Sequence, residues 1–513
     1  MLLPLRSLIL FALAEWAWNS VGVEGRLESR PLGGYERLLS RKTPGTSYLS
    51  LSHGSAFVLS RSVRADLLER AVAHCMGKHP LLRSRIVNAD YGKGRSEFAY
   101  CQEQDLQQLA RSVLRSVRVQ DAASFGDAWK QELERGLNRA SMPESGPLWS
   151  LAHIVFDGSS SESSSALVFC VNHGIDDQQS LNIVVRDLVE FIARDPQQAQ
   201  VQVQQISFPP SVEEAVAPEF PSFRTLAWAL FQVCNSIRGP AMVPRTMKEE
   251  TRVAAKDPDN RSTYVQLLNL PESVTAALRK KCSERGVTIT SLLSAAMLCV
   301  TSAVIEGEGR GSGALLRFLL SVDLRRFGAG QQGRNSDWAQ GTVACAAGAV
   351  DFLVPVSASV VRRGLGISTP SVNNELWKLA EVCKQRADFI INDQQWVQES
   401  VRLFGLGMQY ADILKVVELD AASGGLGRGY SCGVSNMGAV SFGVGQGSGP
   451  TITQAFYGTS HSRNGVLCQL SCMTVAAKFC GCLQFTDPII PPSQGARIRG
   501  ILSELLSELA VEE

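Results

Sequence analysis

This sequence of 513 residues lacks an excess of either sign of charge, because 50 Lys and Arg are balanced by 49 Asp and Glu for a formal net charge of +1. Without a basic surplus the protein has no strong general attraction to nucleic acid or anionic lipid, and we expect no nucleic-acid partner. The composition also excludes a disordered chain, since 45% of the residues are apolar, and a collagen-like chain, since Gly numbers only 44. At about 150 residues per domain, the length predicts two to four hydrophobic cores.

The cysteines show neither a disulfide framework nor a metal-binding pattern. They number 13, and an odd number cannot all pair within one chain. A group near the C-terminus comes nearest to a metal site, but its spacings match no zinc signature and its segment alternates like a strand. That group consists of Cys468, Cys472, Cys480 and Cys482. We therefore interpret the cysteines as buried thiols and expect no bound metal.

Residues 1–29 are interpreted as an N-terminal extension or a targeting segment. The first 25 residues contain one basic residue, Arg6, and a short apolar run over 7–14. This run is too short to cross a bilayer, which needs about 20 residues. We expect a cytoplasmic protein, or an organellar or secreted one if residues 1–25 act as a targeting segment.

The periodicity of the next segments predicts alternating helices and strands. Residues 60–86 read as an amphipathic helix followed by a strand, and two short apolar strands over 151–156 and 166–171 flank a Ser-rich loop. A helix with one apolar face is predicted over 180–193. Many short strands without regular βα alternation favour an α+β fold on antiparallel or mixed sheets.

The chain divides into two halves joined by a connector. The N-terminal half covers 30–195, the connector 196–262 is rich in Gln, Pro and charged residues, and the C-terminal half covers 263–513. The connector includes one apolar helix over about 223–237. The C-terminal half begins with a strand and two helices and ends with a helix that carries an apolar stripe.

Among six histidines, His173 has the surroundings of a catalytic base. His53 falls within a predicted strand and His74 within a helix, whereas His173 lies where a strand meets a loop, four residues before Asp177. An imidazole suits proton transfer at neutral pH. By themselves, His173 and Asp177 fit either a catalytic base or a structural His–Asp hydrogen bond.

The segment around His173 resembles the motif H-H-x-x-x-D-G. His173 and Asp177 match its second His and its Asp, whereas Asn172 and Gln178 replace its first His and its Gly. Five further segments stand in the order found in the same superfamily: 30–36, 78–83, 286–288, 321–325 and 434–438. Over about residues 30–510 the sequence thus resembles the acyl-CoA-dependent acyltransferases, which include chloramphenicol acetyltransferase, the condensation domains and the alcohol O-acyltransferases. It is most similar to the alcohol acetyltransferase and phthiocerol-type diacyltransferase branch.

The resemblance implies an α+β protein of two chloramphenicol-acetyltransferase-like halves. Each half would be a mixed sheet with packed helices, and the two would form a V with a tunnel between them and the His173 loop at its centre. The implied reaction transfers an acyl group from acyl-CoA, a co-substrate, to an alcohol without a covalent enzyme intermediate. We expect no bound cofactor and a monomer, with an acyl carrier protein as a further candidate partner.

The resemblance also implies roles for individual residues. His173 would be the general base, with Asp177 anchoring its loop and Arg325 as the ion-pair partner of Asp177. Asn172, Ser435 and Asn436 are the candidate substrate-binding residues, and Ser435 and Asn436, in the matching segment, would also meet the oxyanion.

Two departures from the motif raise questions about the loop. Asn172 can still fix it by hydrogen bonding. Gly is used where the backbone needs a positive φ or approaches a ligand closely. If either requirement applies at this position, Gln178 in place of Gly would narrow the tunnel.

Two alternatives to alcohol acylation stay open. One is a condensation reaction between a carrier-protein thioester and an amine, and the other is a catalytically silent binding module, which Asn172 and Gln178 favour. A hydrolase is excluded, although residues 429–433 spell G-x-S-x-G. A nucleophile elbow needs a strand before it and a helix after it, whereas Gly-rich segments flank this one and no acid lies between Ser431 and His461.

Overall fold

The computed structural model contains 13 α-helices and 14 strands in the part of the chain that it describes. The described residues are 29–40, 51–87, 96–103, 105–139, 145–156, 164–194, 208–216, 222–223, 227, 243–307, 313–328, 341–367, 372–410, 425–443 and 449–511. The predicted targeting segment and almost all of the predicted 223–237 helix lie outside them. Most of the predicted Ser-rich loop does as well.

The N-terminal half is built on a five-stranded sheet in the order β12-β2-β7-β6-β5. Its neighbours are antiparallel except for the parallel pair β5 and β6. The strands are β2 (Ser52–Leu59), β5 (Leu114–Val119), β6 (Trp149–Phe156), β7 (Ser164–Asn172) and β12 (Ile452–Thr459). A small antiparallel sheet in the order β1-β4-β3 contains β1 (Ser29–Pro31), β3 (Ser84–Val87) and β4 (Glu97–Tyr100).

Six helices accompany these strands. They are α1 (Gly34–Ser40), α2 (Ala65–Lys78), α3 (Leu106–Val113), α4 (Ala122–Leu137), α5 (Gln178–Ala193) and α6 (Val212–Val216), with a 3-10 turn at Pro80–Arg83. The helix and strand predicted over 60–86 and the strand pair before the His173 loop are confirmed, as is the helix that follows that loop.

The C-terminal half contains a six-stranded mixed sheet in the order β10-β9-β11-β13-β14-β8. Its strands are β8 (Ser262–Leu270), β9 (Ala314–Asp323), β10 (Ala347–Val356), β11 (Arg428–Ala439), β13 (Gly465–Val475) and β14 (Lys478–Asp487). Its helices are α7 (Glu249–Lys256), α8 (Glu272–Glu284), α9 (Ile289–Glu306), α10 (Ala358–Gly364), α11 (Val372–Ile391), α12 (Gln394–Tyr410) and α13 (Pro492–Val511), with 3-10 turns at Pro258–Asn260 and Leu324–Phe327. β11 pairs in parallel with β9 and β13, whereas the other neighbours are antiparallel. The predicted α+β fold with mixed sheets is confirmed.

Helix α9 is the central helix of this half. It is long and apolar enough to cross a membrane, yet 89% of it is buried inside the protein. Its residues pack with those of the sheet and of α13 in one hydrophobic core. Burial on every side explains why the helix is apolar all round rather than amphipathic.

Strand β12 connects the two halves. It follows β11 in the sequence but leaves the C-terminal sheet and pairs antiparallel with β2 of the N-terminal sheet. A third core forms where the halves meet, and in it Trp129 of α4 stacks on Phe456 of β12 with ring centroids 5.3 Å apart. The halves therefore share both a sheet and a core.

The cysteines contribute to these cores. All 12 cysteines in the described part of the chain are free and buried, including the four near the C-terminus. Burial raises the pKa of these thiols, for example that of Cys482 to about 12. The interpretation as buried thiols is confirmed for these residues.

Candidate active site

The loop that carries His173 is fixed at both ends by regular structure. β7 ends at Asn172, and Asp177 is the N-cap of α5, where its side chain accepts a hydrogen bond of 2.8 Å from the backbone N–H of Ser180. An Asp at this position satisfies a helix N–H that would otherwise lack a partner. The five residues between strand and helix thus have little freedom to move.

His173 is held in one tautomer. Its Nδ1 lies 2.8 Å from the backbone oxygen of Asp176, which can only accept, so Nδ1 carries the proton and Nε2 carries a lone pair. Within the described residues Nε2 has no hydrogen-bond partner, and the side chain is 12% exposed. Burial and the charge of His53 lower the pKa of His173. The imidazole is therefore neutral at pH 7 and able to accept a proton at Nε2.

Asp177 and Arg325 form a buried ion pair between the two halves. Arg325, in the turn after β9, donates a 2.7 Å hydrogen bond to Asp177 Oδ2, and both residues are 4% exposed. The N–H of Ala346 donates to the same oxygen at 2.9 Å. Burial alone would raise the pKa of Asp177, but the Arg325 guanidinium and these hydrogen bonds outweigh it and lower the pKa. This is the ion pair that the family resemblance implies.

A second set of bonds joins the start of α5 to the C-terminal half. The guanidinium of Arg325 donates to Ser180 Oγ at 2.8 Å, and Ser180 Oγ donates to the carbonyl of Ala344 at 2.8 Å. The start of α5 is therefore also anchored to the C-terminal half.

The other predicted site residues are spread around this loop. The side chain of Asn172 accepts a 2.9 Å bond from the N–H of Gly174, within the loop itself. Ser435 lies beside Tyr457, whose hydroxyl is 3.0 Å from Ser435 Oγ. The amide nitrogen of Asn436 instead donates to Thr290 of α9 at 3.0 Å. The substrate-binding roles of these residues stay predictions.

His53 is a polar neighbour of His173 that the sequence reasoning treated only as part of a strand. It lies on β2 opposite Val171 of β7, and its ring centroid is 5.2 Å from that of His173. The ring of Tyr457 meets it edge-on at 6.2 Å. The sequence signal that could have identified His53 is an imidazole within the otherwise largely apolar strand SHGSAFVL.

Gln178 has an ordinary helical backbone. It begins α5, and the non-glycine residues with positive φ in the described part of the chain are Leu426, Ala476 and Ala477. The concern that this position requires a positive φ is therefore wrong for this chain. The side chain is 5% exposed and lies between His53 and Asn182.

His53, His173 and Asp176 also have donor atoms within 4.8 Å of one another, close enough to consider a metal ion. Both Nδ1 atoms are hydrogen bonded to Asp176, one to its carboxylate and one to its backbone oxygen. An ion bound at either Nδ1 would have to displace one of these hydrogen bonds. The arrangement therefore fits a hydrogen-bonded cluster, and we derive no step through a metal.

The G-x-S-x-G segment is part of a strand. Ser431 lies within β11, and its hydroxyl accepts a hydrogen bond of 3.0 Å from the N–H of Arg317. The context of a nucleophile elbow is absent at Ser431, as predicted.

Comparison with known proteins identifies the fold. No protein-family model matches this sequence, and no curated protein sequence gives a significant match. Solved structures do match over nearly the whole chain. TRI3 trichothecene 15-O-acetyltransferase from Fusarium sporotrichioides is 12% identical with a TM-score of 0.69, covering 96% of this chain and 97% of its own.

Two further structures match over similar lengths. The condensation domain of the monacolin K polyketide synthase MokA is 10% identical with a TM-score of 0.57, covering 94% of this chain and 98% of its own. Polyketide synthase associated protein 5 from Mycobacterium tuberculosis is 14% identical with a TM-score of 0.56 and the same coverage. The fold is that of these acetyltransferase and condensation-domain structures. This confirms the two-half fold that the resemblance implied.

Proposed function

We propose that this protein is an acyltransferase that moves an acyl group from acyl-CoA to an alcohol, with His173 as the general base. The observation that carries the proposal is the tautomer of His173. Its Nδ1–H donates to the backbone oxygen of Asp176, which leaves the lone pair on Nε2. Among the described residues no protein group donates a hydrogen bond to that lone pair. The fold of this chain is similar to that of TRI3 trichothecene 15-O-acetyltransferase at 12% identity, and this similarity supports the reaction class.

In the proposed reaction, Nε2 of His173 takes the proton of the acceptor hydroxyl as its oxygen attacks the thioester carbonyl. The new C–O bond forms as the C–S bond breaks. The imidazolium then returns the proton to the departing thiolate, so the products are an ester and free CoA. General-base catalysis of this kind contributes about 10²–10⁴-fold to a rate.

Thiol release tests the proposal directly. The full-length chain is incubated with acetyl-CoA and longer acyl-CoAs and a panel of alcohols and amines, and free thiol is measured. We expect alcohol-dependent release that falls by about a hundredfold or more in His173→Ala, the lower end of general-base contributions. The matched control is His74→Ala, since His74 lies on α2 and stacks on Phe191, near the end of α5 that is opposite to the His173 loop.

Equal rates in the wild type and His173→Ala would remove His173 from the mechanism. Measurable acyl-CoA binding without turnover in either protein would favour a silent binding module instead.

A carrier-protein thioester with an amine acceptor is the second candidate. The similarity to the condensation domain of MokA favours it. It predicts turnover with an acyl group on a carrier protein or a pantetheine thiol and an amine, and little turnover with acyl-CoA and alcohols. The two donors and two acceptor classes in the assay therefore separate the candidates.

A further inference from the structure

Asp176 ties two histidines together. Its carboxylate oxygen Oδ2 lies 2.7 Å from Nδ1 of His53, and its backbone oxygen accepts the 2.8 Å hydrogen bond from Nδ1 of His173. Both His53 and Asp176 are 1% exposed. Asp176 therefore links the His53 ring, through its side chain, to the backbone carbonyl that orients the proposed base.

The partners of His53 determine its protonation. Its Nε2 lies 3.1 Å from Gln178 Oε1, and an amide oxygen can only accept a hydrogen bond. The Gln178 amide turns its oxygen towards His53 because its nitrogen, Nε2, donates to Asn182 Oδ1 at 2.9 Å. The Asp176 carboxylate on the other side of the ring is also an acceptor. Both ring nitrogens of His53 therefore donate, which makes it an imidazolium paired with Asp176.

We propose that His53 is a positioning residue of this site. Held between Asp176 and Gln178, it fixes the backbone carbonyl that selects the tautomer of His173, and it places a positive charge beside that ring. The inference rests on the proposed function of His173. It also gives Gln178, which stands where the family motif has Gly, a role as the second acceptor of His53.

The charges around His173 determine the direction of the effect on its titration. Asp176 and Asp177 lie on its own loop, His53 on β2, Arg325 behind Asp177, and His461 after β12. Burial and the His53 charge together outweigh the two carboxylates and lower the pKa of His173. Burial also lowers the pKa of His53, but Asp176 and Gln178 outweigh it and the net shift is upward. Removing the His53 charge should therefore raise the pKa of His173.

Nitrogen NMR of the full-length chain labelled with [¹⁵N]histidine tests this without any need for turnover. Only six histidines are present, and the signals missing in His53→Gln and His173→Gln identify the two rings. We expect His53 to be doubly protonated at pH 7 and His173 to be neutral with its proton on Nδ1. In His53→Gln, the titration of His173 should move to higher pH, because the His53 charge that lowers its pKa is removed.

Two further variants keep the test decisive if His53→Gln folds poorly. Gln178→Glu keeps an acceptor next to His53 and should preserve its charged state, whereas Gln178→Gly removes the weaker of its two acceptors and should move the titration of His53 to lower pH. His153→Gln is the matched control, because His153 is equally buried on β6 of the same sheet. It should leave the His173 signals unchanged.

The same variants give a second readout in the thiol-release assay. For His53→Gln we expect the acid limb of kcat/KM to move to higher pH, because the base becomes easier to protonate. The rate at neutral pH should fall by about tenfold, because the base is held less well. This is less than the roughly hundredfold loss that a 1 Å displacement of a reacting group can cause.

A neutral His53 at pH 7, or an unchanged titration of His173 in folded His53→Gln, would overturn the proposal. Absence of thiol release in the wild type would count against the proposed function instead, and the NMR spectra would still decide whether His53 positions His173.

Discussion

At the scale of single residues, the ion pair between Asp177 and Arg325 decides whether the site holds together. Burying two charges is costly, and here hydrogen bonds to Ala346 and Ser180 occupy further polar atoms of the pair. Such a pair adds little over apolar packing, but breaking it leaves one charge buried and unpaired. The folded arrangement therefore requires both partners of the pair, although the intact pair adds little net stability.

We expect Arg325→Ala to lower the free energy of unfolding by about 3–5 kcal/mol, because Asp177 then keeps a buried charge without its partner. Denaturant unfolding of the purified variant measures this. Arg326→Ala is the matched control, since the neighbouring side chain is exposed. If Arg325→Ala and Arg326→Ala are equally stable, the ion pair does not hold the halves together as argued.

At the scale of helices and strands, local patterns predicted much of what the structure contains. The apolar spacing was sufficient to predict α2 and α5, because each helix buries one face against its neighbours. The two short apolar runs were sufficient to predict β6 and β7, because both strands are largely buried. The family resemblance placed Arg325 opposite Asp177. Neither signal placed His53 beside Asp176, because these residues are 123 positions apart and meet only through the pairing of β2 with β7. Contacts of this kind depend on which distant strands pair, and the pattern within one strand does not specify its partner.

Helix α9 illustrates a local signal with a measurable effect. Its N-cap, Thr288, accepts a 3.0 Å hydrogen bond from the N–H of Ser291. We expect Thr288→Ala to lower the free energy of unfolding by about 1 kcal/mol, whereas Thr288→Ser should stay close to the wild type. Thermal and denaturant unfolding measure both variants. Equal losses in the two would show that the hydroxyl cap contributes nothing.

At the scale of the whole molecule, the two halves are coupled by a shared core. Phe456 of β12 is 1% exposed and stacks on Trp129 of α4. We expect Phe456→Ala to cost about 3–5 kcal/mol, as large-to-small changes of buried aromatics do. Phe389→Ala on α11 is the control, because that side chain is 81% exposed.

Scanning calorimetry provides the readout for this pair of variants. Because the halves share a sheet and a core, the wild type and both variants should unfold in one transition, lowered in temperature for Phe456→Ala. Two separate transitions in the wild type would mean that each half is stable by itself.

The position of β12 also has a consequence for synthesis on the ribosome. In the folded protein β2 lies between β7 and β12, so both of its edges are paired. While the chain is being made, β2 emerges long before residues 452–459, and one edge stays open during that interval. An open strand edge can pair with other chains and aggregate. Expression yield should therefore depend on chaperones that hold nascent chains until translation has passed β12.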